Sequence, residues 1–79
     1  MAIQIQFFAA FADFAGTREL QLEYRPGLRC ADVWNELRSR FPRLAPVPPL
    51  FAKDDEYVPA DAPVRDGETL MIFPPVSGG

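Results

Sequence analysis

Cys30-Ala31-Asp32-Val33-Trp34-Asn35-Glu36-Leu37-Arg38-Ser39-Arg40-Phe41 is the one long stretch of the chain that reads with a helical period. Cys30, Val33, Trp34, Leu37 and Phe41 fall on a single stripe, and Asp32, Asn35, Glu36, Arg38 and Arg40 fall elsewhere. Arg38 and Arg40 lie near the C-terminal end, where positive charge complements the helix dipole, and Pro42 prevents continuation. At the N-terminal end Arg29 occupies the expected cap position. A Ser, Thr or Asp is the usual choice there, and Asp32 three residues on suits the first turn.

Everything around this helix reads mostly as strand. On its N-terminal side Ile3, Ile5 and Phe7 alternate with Gln4 and Gln6, the period of a half-buried strand with its apolar residues inward. Phe7, Phe11 and Phe14 then stand at i, i+4 and i+7, one face of a short helix that Gly16 is placed to end. Alternation returns at Leu20, Leu22 and Tyr24, with Glu19, Gln21 and Glu23 outward, and Pro26-Gly27 closes that strand with a turn. On the C-terminal side, Pro42 to Pro49 holds four prolines and reads as a stiff surface loop. Leu50–Lys53 and Glu56–Val58 read as two short strands about Asp54-Asp55, and Asp66-Gly67 marks another turn. Leu70 to Phe73 is a continuous apolar run, expected as a central strand covered on both sides.

The order is strand, strand, helix, short strands, strand. One main helix across one mixed sheet makes a two-layer α+β domain. If the first and last strands pair in parallel, the connection between them crosses right-handed over the helix, and the arrangement is the β-grasp of ubiquitin-like proteins. Residues 1–73 are expected to form this domain and residues 74–79 an extended, flexible C-terminal tail.

Composition excludes several functions. The chain has 79 residues, enough for one domain. Its formal net charge is −3, so no basic surface is available for nucleic acid. There is no histidine, the commonest general base and zinc ligand. Cys30 is the only cysteine, so no internal disulfide can form, and a reducing compartment is expected. Met1 to Gln6 lacks a basic region followed by an apolar run, and Phe7 to Ala12, the longest apolar stretch, is far too short to span a bilayer. The expected location is cytoplasmic, with no membrane partner.

Few residues could carry chemistry. Cys30 lies on the apolar stripe, where a buried thiol is an inert small hydrophobe. Asp54, Asp55 and Glu56 lack the spacing of a calcium loop and read as a solvated turn, so no metal site is expected. Arg38, Arg40 and Arg43 could hold an anion, though helix-end solvation explains them as well. The unusual feature is the end, Pro74-Pro75-Val76-Ser77-Gly78-Gly79. Two prolines favour an extended backbone and have no N–H to join a sheet. Two glycines can then enter a channel too narrow for a Cβ. A frayed end is the plain alternative. A glycine carboxylate is ionised at neutral pH and a poor electrophile, and reacts only when another enzyme activates it. The chain has no phosphate-binding Gly-rich loop of its own for that step.

Phe73-Pro74-Pro75-Val76-Ser77-Gly78-Gly79 resembles the terminal signature of the small, sulfur-carrying subunit of molybdopterin synthase. Phe7-Phe8-Ala9, Gly16-Thr17 and Asp66-Gly67-Glu68 match as well, and the resemblance covers essentially the whole chain. It implies that an ATP-dependent adenylating enzyme, similar to ubiquitin-activating enzymes, activates the carboxylate of Gly79. A persulfide donor enzyme then converts it to a thiocarboxylate. The tail, with Gly78 before the reactive residue, enters the large synthase subunit and gives its sulfur to cyclic pyranopterin monophosphate, forming molybdopterin for molybdenum cofactor biosynthesis. The catalytic lysines belong to that large subunit, so no stand-alone activity and no bound cofactor are expected here; ATP is used by the activating partner. Ala12-Asp13 stands where the family often has Arg-Glu, Arg29 replaces a Ser or Thr cap, and Lys53-Asp54-Asp55 replaces a Val-Asn-Gly turn.

Carriers for thiamine or cysteine synthesis share the fold and the Gly-Gly end but usually lack the Phe-Pro-Pro-Val lead-in. A plain ubiquitin-like interaction module, or a modifier joined to lysines, is the alternative from another class. Strand parity adds a docking face. With Ile3, Ile5 and Phe7 toward the helix, Phe8 faces the other side of the sheet. Met71 and Phe73 are expected to join it in an apolar patch that leads into Pro74, Pro75, Val76 and Ser77.

Overall fold

A computed structural model of the chain describes residues 1–75. Val76, Ser77, Gly78 and Gly79, expected to carry the tail chemistry, lie outside the described residues. The elements in chain order are β1 (Ala2–Phe7), α1 (Ala10–Ala15), β2 (Glu19–Glu23), α2 (Cys30–Arg40), a 3-10 turn (Pro42–Leu44), β3 (Leu50–Lys53), β4 (Glu56–Val58) and β5 (Thr69–Phe73). The strands form one sheet in the order β2-β1-β5-β3-β4. β1 and β5 run parallel, and β1–β2, β3–β4 and β3–β5 are antiparallel. With the helices on one face, this is the β-grasp arrangement.

Alternation sets the layers. In β1 Ile3, Ile5 and Phe7 are buried, and in β5 Leu70 and Ile72 are buried. They join α2 through Cys30, Val33, Trp34 and Leu37 in one core with Phe11, Leu44 and Phe51. Trp34 is its centrepiece: its ring lies 5.3 Å from that of Phe11 and meets Phe51 edge-on at 6.5 Å. Phe41 stays half-buried and meets Phe7 edge-on at 6.3 Å. At the start of α2 the Asp32 carboxylate accepts the Arg29 N–H at 2.9 Å, capping the helix from its third residue. The Arg29 guanidinium donates instead to the Asp61 carbonyl at 3.3 Å.

Three expectations need correction. Phe7 does not belong to the helix face of Phe11 and Phe14; it closes β1, and Ala9, at φ 54°, turns the chain before α1 begins at Ala10. The i, i+4, i+7 spacing was mimicked because an inward strand residue and an inward helix face meet the same core. The proline-rich segment is not all loop. Proline fits the first position of a helix, where its missing N–H has no partner to lose, and the 3-10 turn Pro42–Leu44 buries Leu44 completely. Finally, β5 is central but is not covered on both faces: Met71 and Phe73 are only half-buried, and α1, α2 and the 3-10 turn share the other side.

Gly16 ends α1 in the left-handed conformation at φ 73°, its N–H donating to the Asp13 carbonyl. No helix among the described residues is long and apolar enough to cross a membrane. Trp34→Ala removes the ring that joins α1, α2 and β3, and should cost about 3–5 kcal/mol in urea unfolding. A loss near zero would contradict this core.

Candidate functional site

The register of the sheet fixes what lies on its open face. Residues paired across neighbouring strands share a face. Gln4 and Gln6 of β1 lie opposite Gln21 and Glu19 of β2, and opposite Thr69 and Met71 of β5. Phe73 pairs with Leu50, and Met71 with Ala52, which in turn pairs with Tyr57. The open face therefore divides. The β2 side is polar, with the Gln6 amide donating to Glu19 at 3.4 Å and the Gln21 amide to Gln4 at 3.3 Å. The β3–β4 side is apolar.

Phe8 belongs to this apolar half. Its N–H donates to the Ile72 carbonyl at 3.1 Å, which continues the β1–β5 ladder by one residue. Its ring stacks on Phe73, centroids 4.5 Å apart and planes 14° from parallel. Tyr57 meets Phe73 from the other side, edge-on at 6.1 Å. Phe8 is 36% exposed, Leu50 38% and Tyr57 69%, so the stack is open to solvent rather than part of the core. Sequence parity brings Phe8, Met71 and Phe73 together; it does not find Leu50 and Tyr57. Their strands are short, and only the β3–β5 and β3–β4 registers bring Leu50 opposite Phe73 and Tyr57 onto the same face.

β5 ends at Phe73, and Pro74 and Pro75 follow outside any strand, the first half-buried and the second exposed. The chain thus leaves the sheet beside the aromatic stack. Ala9 contributes to the same corner. Its positive φ separates outward Phe8 from inward Phe11 over three residues. Between the end of β1, α1 and the start of β2 lies a cleft of about 440 Å³, lined by Gln6, Phe8, Ala9, Ala12, Asp13, Arg18 and Glu19 among others. It holds charges of both signs and no nucleophile. Its walls come from three elements, so no single stretch of sequence announces it.

The other candidates separate from this face. Cys30 is completely buried. Burial pushes its thiol above the ordinary value, with the Lys53 ammonium pulling the other way, so it has the character of a core residue rather than a nucleophile. Asp54 and Asp55 form the β3–β4 turn at φ 48° and 64° and are exposed. Among the described residues no three His, Cys, Asp or Glu side chains cluster to hold a metal ion. Arg43 lies over the Phe14 ring at 5.0 Å, and Arg40 pairs with Glu36 at 3.4 Å, so these arginines do not converge on one anion site.

A family model described as the ThiS family matches residues 5–79. The Molybdopterin synthase sulfur carrier subunit of Chlamydomonas reinhardtii is 34% identical over the whole length of both chains. The Homo sapiens protein of the same name is 28% identical, covering 98% of this chain and 93% of the relative. Among solved structures, a putative molybdopterin converting factor, subunit 1, from Pyrococcus furiosus has a TM-score of 0.85 at 26% identity, covering 96% of this chain and 99% of its own. Small archaeal modifier protein 1 from Haloferax volcanii has a TM-score of 0.83 at 21% identity, covering 95% and 98%, a likeness of fold. With the family match reaching from β1 through Gly79 and a relative aligned end to end, the chain belongs to the ThiS family.

Proposed function

We propose that the protein is the sulfur carrier subunit of molybdopterin synthase and acts in molybdenum cofactor biosynthesis. The observation that carries this reading is the full-length likeness to molybdopterin synthase sulfur carrier subunits, and the sequence Phe73-Pro74-Pro75-Val76-Ser77-Gly78-Gly79 supports it. Gly79 is the reactive residue. An ATP-dependent adenylating enzyme converts its carboxylate to an acyl-adenylate, a far better electrophile than the free ion. Sulfur from a donor enzyme displaces the adenylate and leaves a thiocarboxylate. That group is delivered to cyclic pyranopterin monophosphate inside the large synthase subunit. Gly78 and Gly79 present no side chain, so the backbone can thread a narrow channel. The chain itself supplies a carboxyl terminus and a docking face; ATP and pterin chemistry belong to its partners.

Docking falls to Phe8, Met71 and Phe73, with Leu50 and Tyr57 extending the patch. An exposed stacked aromatic pair on a small domain marks an interaction surface, and aromatic and Met side chains are enriched in interface cores. The activating enzyme and the large subunit use this face in turn, which puts Pro74, Pro75, Val76 and Ser77 at the rim of the contact, leading into each active site. The domain of residues 1–73 then works as a handle for the tail of residues 74–79.

Removal of Gly79 should abolish sulfur loading by the activating enzyme and donor while the melting curve stays unchanged, because among the described residues the core closes without the tail, its last member being Ile72. Gly78→Val should block transfer as well, its branched side chain restricting the backbone and obstructing the channel. Normal thiocarboxylate formation and transfer in both variants would contradict the assignment of the tail. Phe8→Asp and Phe73→Asp should each stay folded by circular dichroism and lose at least about tenfold in affinity for both partners by calorimetry, the scale of one disrupted interface anchor. Wild-type binding by both folded variants would rule out this face.

A further inference from the structure

Seven of the eight basic residues are arginine, and Lys53 is the single lysine in the 79 residues. It ends β3 on the helix side of the sheet, in step with buried Phe51. Its side chain is only 14% exposed. The arginines of the other ion pairs, Arg25 and Arg40, are 58% and 51% exposed. A lysine ammonium has three N–H donors, and acceptors surround this one: the Pro63 carbonyl at 2.7 Å, and Glu68 Oε1 and Oε2 at 3.2 and 3.4 Å. Glu68 is itself held, its Oε1 accepting the Arg65 N–H at 2.6 Å. Burial raises the Glu68 carboxyl, but the Arg65 N–H and the Lys53 ammonium together outweigh it and hold the group below the usual carboxylate range. The clasp ties the end of β3 to the segment that enters β5.

The chemistry at stake is acyl transfer. A lysine accepts an activated acyl group through the lone pair of its neutral amine. The nitrogen–carbon bond forms, the leaving group departs with its electron pair, and the nitrogen loses a proton. Arginine does not substitute, because its guanidinium stays protonated. In the clasp the Lys53 nitrogen is turned toward its acceptors and walled by Pro63, Glu68 and the sheet.

We propose that, in its side chains, this chain is an acyl donor and not an acceptor, its only side-chain amine withdrawn from acylation by the Lys53–Glu68–Pro63 clasp. Resting on the reading of Gly79 as an activated carboxyl, the consequence is that the activated end is not consumed in an isopeptide to Lys53 of the same or a second copy. Polymers linked through the side chains of this protein then do not form.

The shielding can be measured without activating enzyme, ATP or a competent Gly79, so its failure is distinguishable from failure of the carrier reading. The intact protein is acetylated with N-hydroxysuccinimidyl acetate, and Lys53 modification is followed by peptide mass spectrometry. Three samples are compared: native wild type, wild type unfolded in guanidinium chloride, and Glu68→Gln verified as folded. Lys53 should react at least about tenfold more slowly in the native than in the unfolded chain, since a charge-assisted network opens only through local unfolding. Folded Glu68→Gln should regain most of that rate. Native wild type reacting at the unfolded rate would overturn the proposal, as would slow labelling that persists unchanged in folded Glu68→Gln. Should Glu68→Gln not fold, the native-to-unfolded ratio of wild type decides alone.

Discussion

The parallel pairing of β1 with β5 is the constraint on which the rest depends. Ile5 stands opposite Leu70, and Phe7 opposite Ile72, so the two central strands put their buried residues on the same side. Side chains alternate along a strand, and a slip of one residue would exchange the two faces. The same pairing that seats Ile3, Ile5, Leu70 and Ile72 under α2 therefore turns Phe8, Met71 and Phe73 outward. Core and open apolar face are two readings of one register. It also fixes where the described chain leaves the sheet, because β5, the last strand among the described residues, runs beside β1 and ends at Phe73.

Much of this was legible in the residues because it rests on periodicity. The alternation of β1 and β2, the stripe of α2 and the turns at Asp54-Asp55 and Asp66-Gly67 each state a local rule that the fold obeys. What escaped rests on tertiary choices. Leu44 is one leucine among prolines, and its burial depends on a 3-10 turn reaching under α1 and α2. Ala9 carries a positive φ that glycine or asparagine would have signalled. Leu70 to Phe73 reads as a strand covered on both sides because a short apolar run does not by itself say what its second face meets; parity with Phe8 is what turns Met71 and Phe73 to the open face. Leu50 and Tyr57 join the aromatic stack only through the register of β3.

The division of labour follows from what the chain lacks and what it presents. It has no histidine and its one thiol is buried, which is consistent with the proposed role, in which nucleophile and base belong to the partners. What it presents is an apolar face beside the point, after Phe73, where the described chain leaves the sheet. In the proposed function, two enzymes acting in sequence on one carboxyl group share this face, and the domain holds β5 and the Phe8–Phe73 stack in place for both. The Lys53 clasp proposed above fits the same economy: a domain that exports a reactive acyl group gains by offering no side-chain amine of its own.

The central claim is that sulfur travels on Gly79. The most direct measurement is the intact mass of the purified protein after incubation with the adenylating enzyme, ATP and a persulfide donor. The account predicts a gain equal to the difference between one sulfur and one oxygen, located by fragmentation to the C-terminal glycine and lost on incubation with the large synthase subunit and cyclic pyranopterin monophosphate. An unchanged mass with a competent activating enzyme, or sulfur found on Cys30 instead, would contradict it.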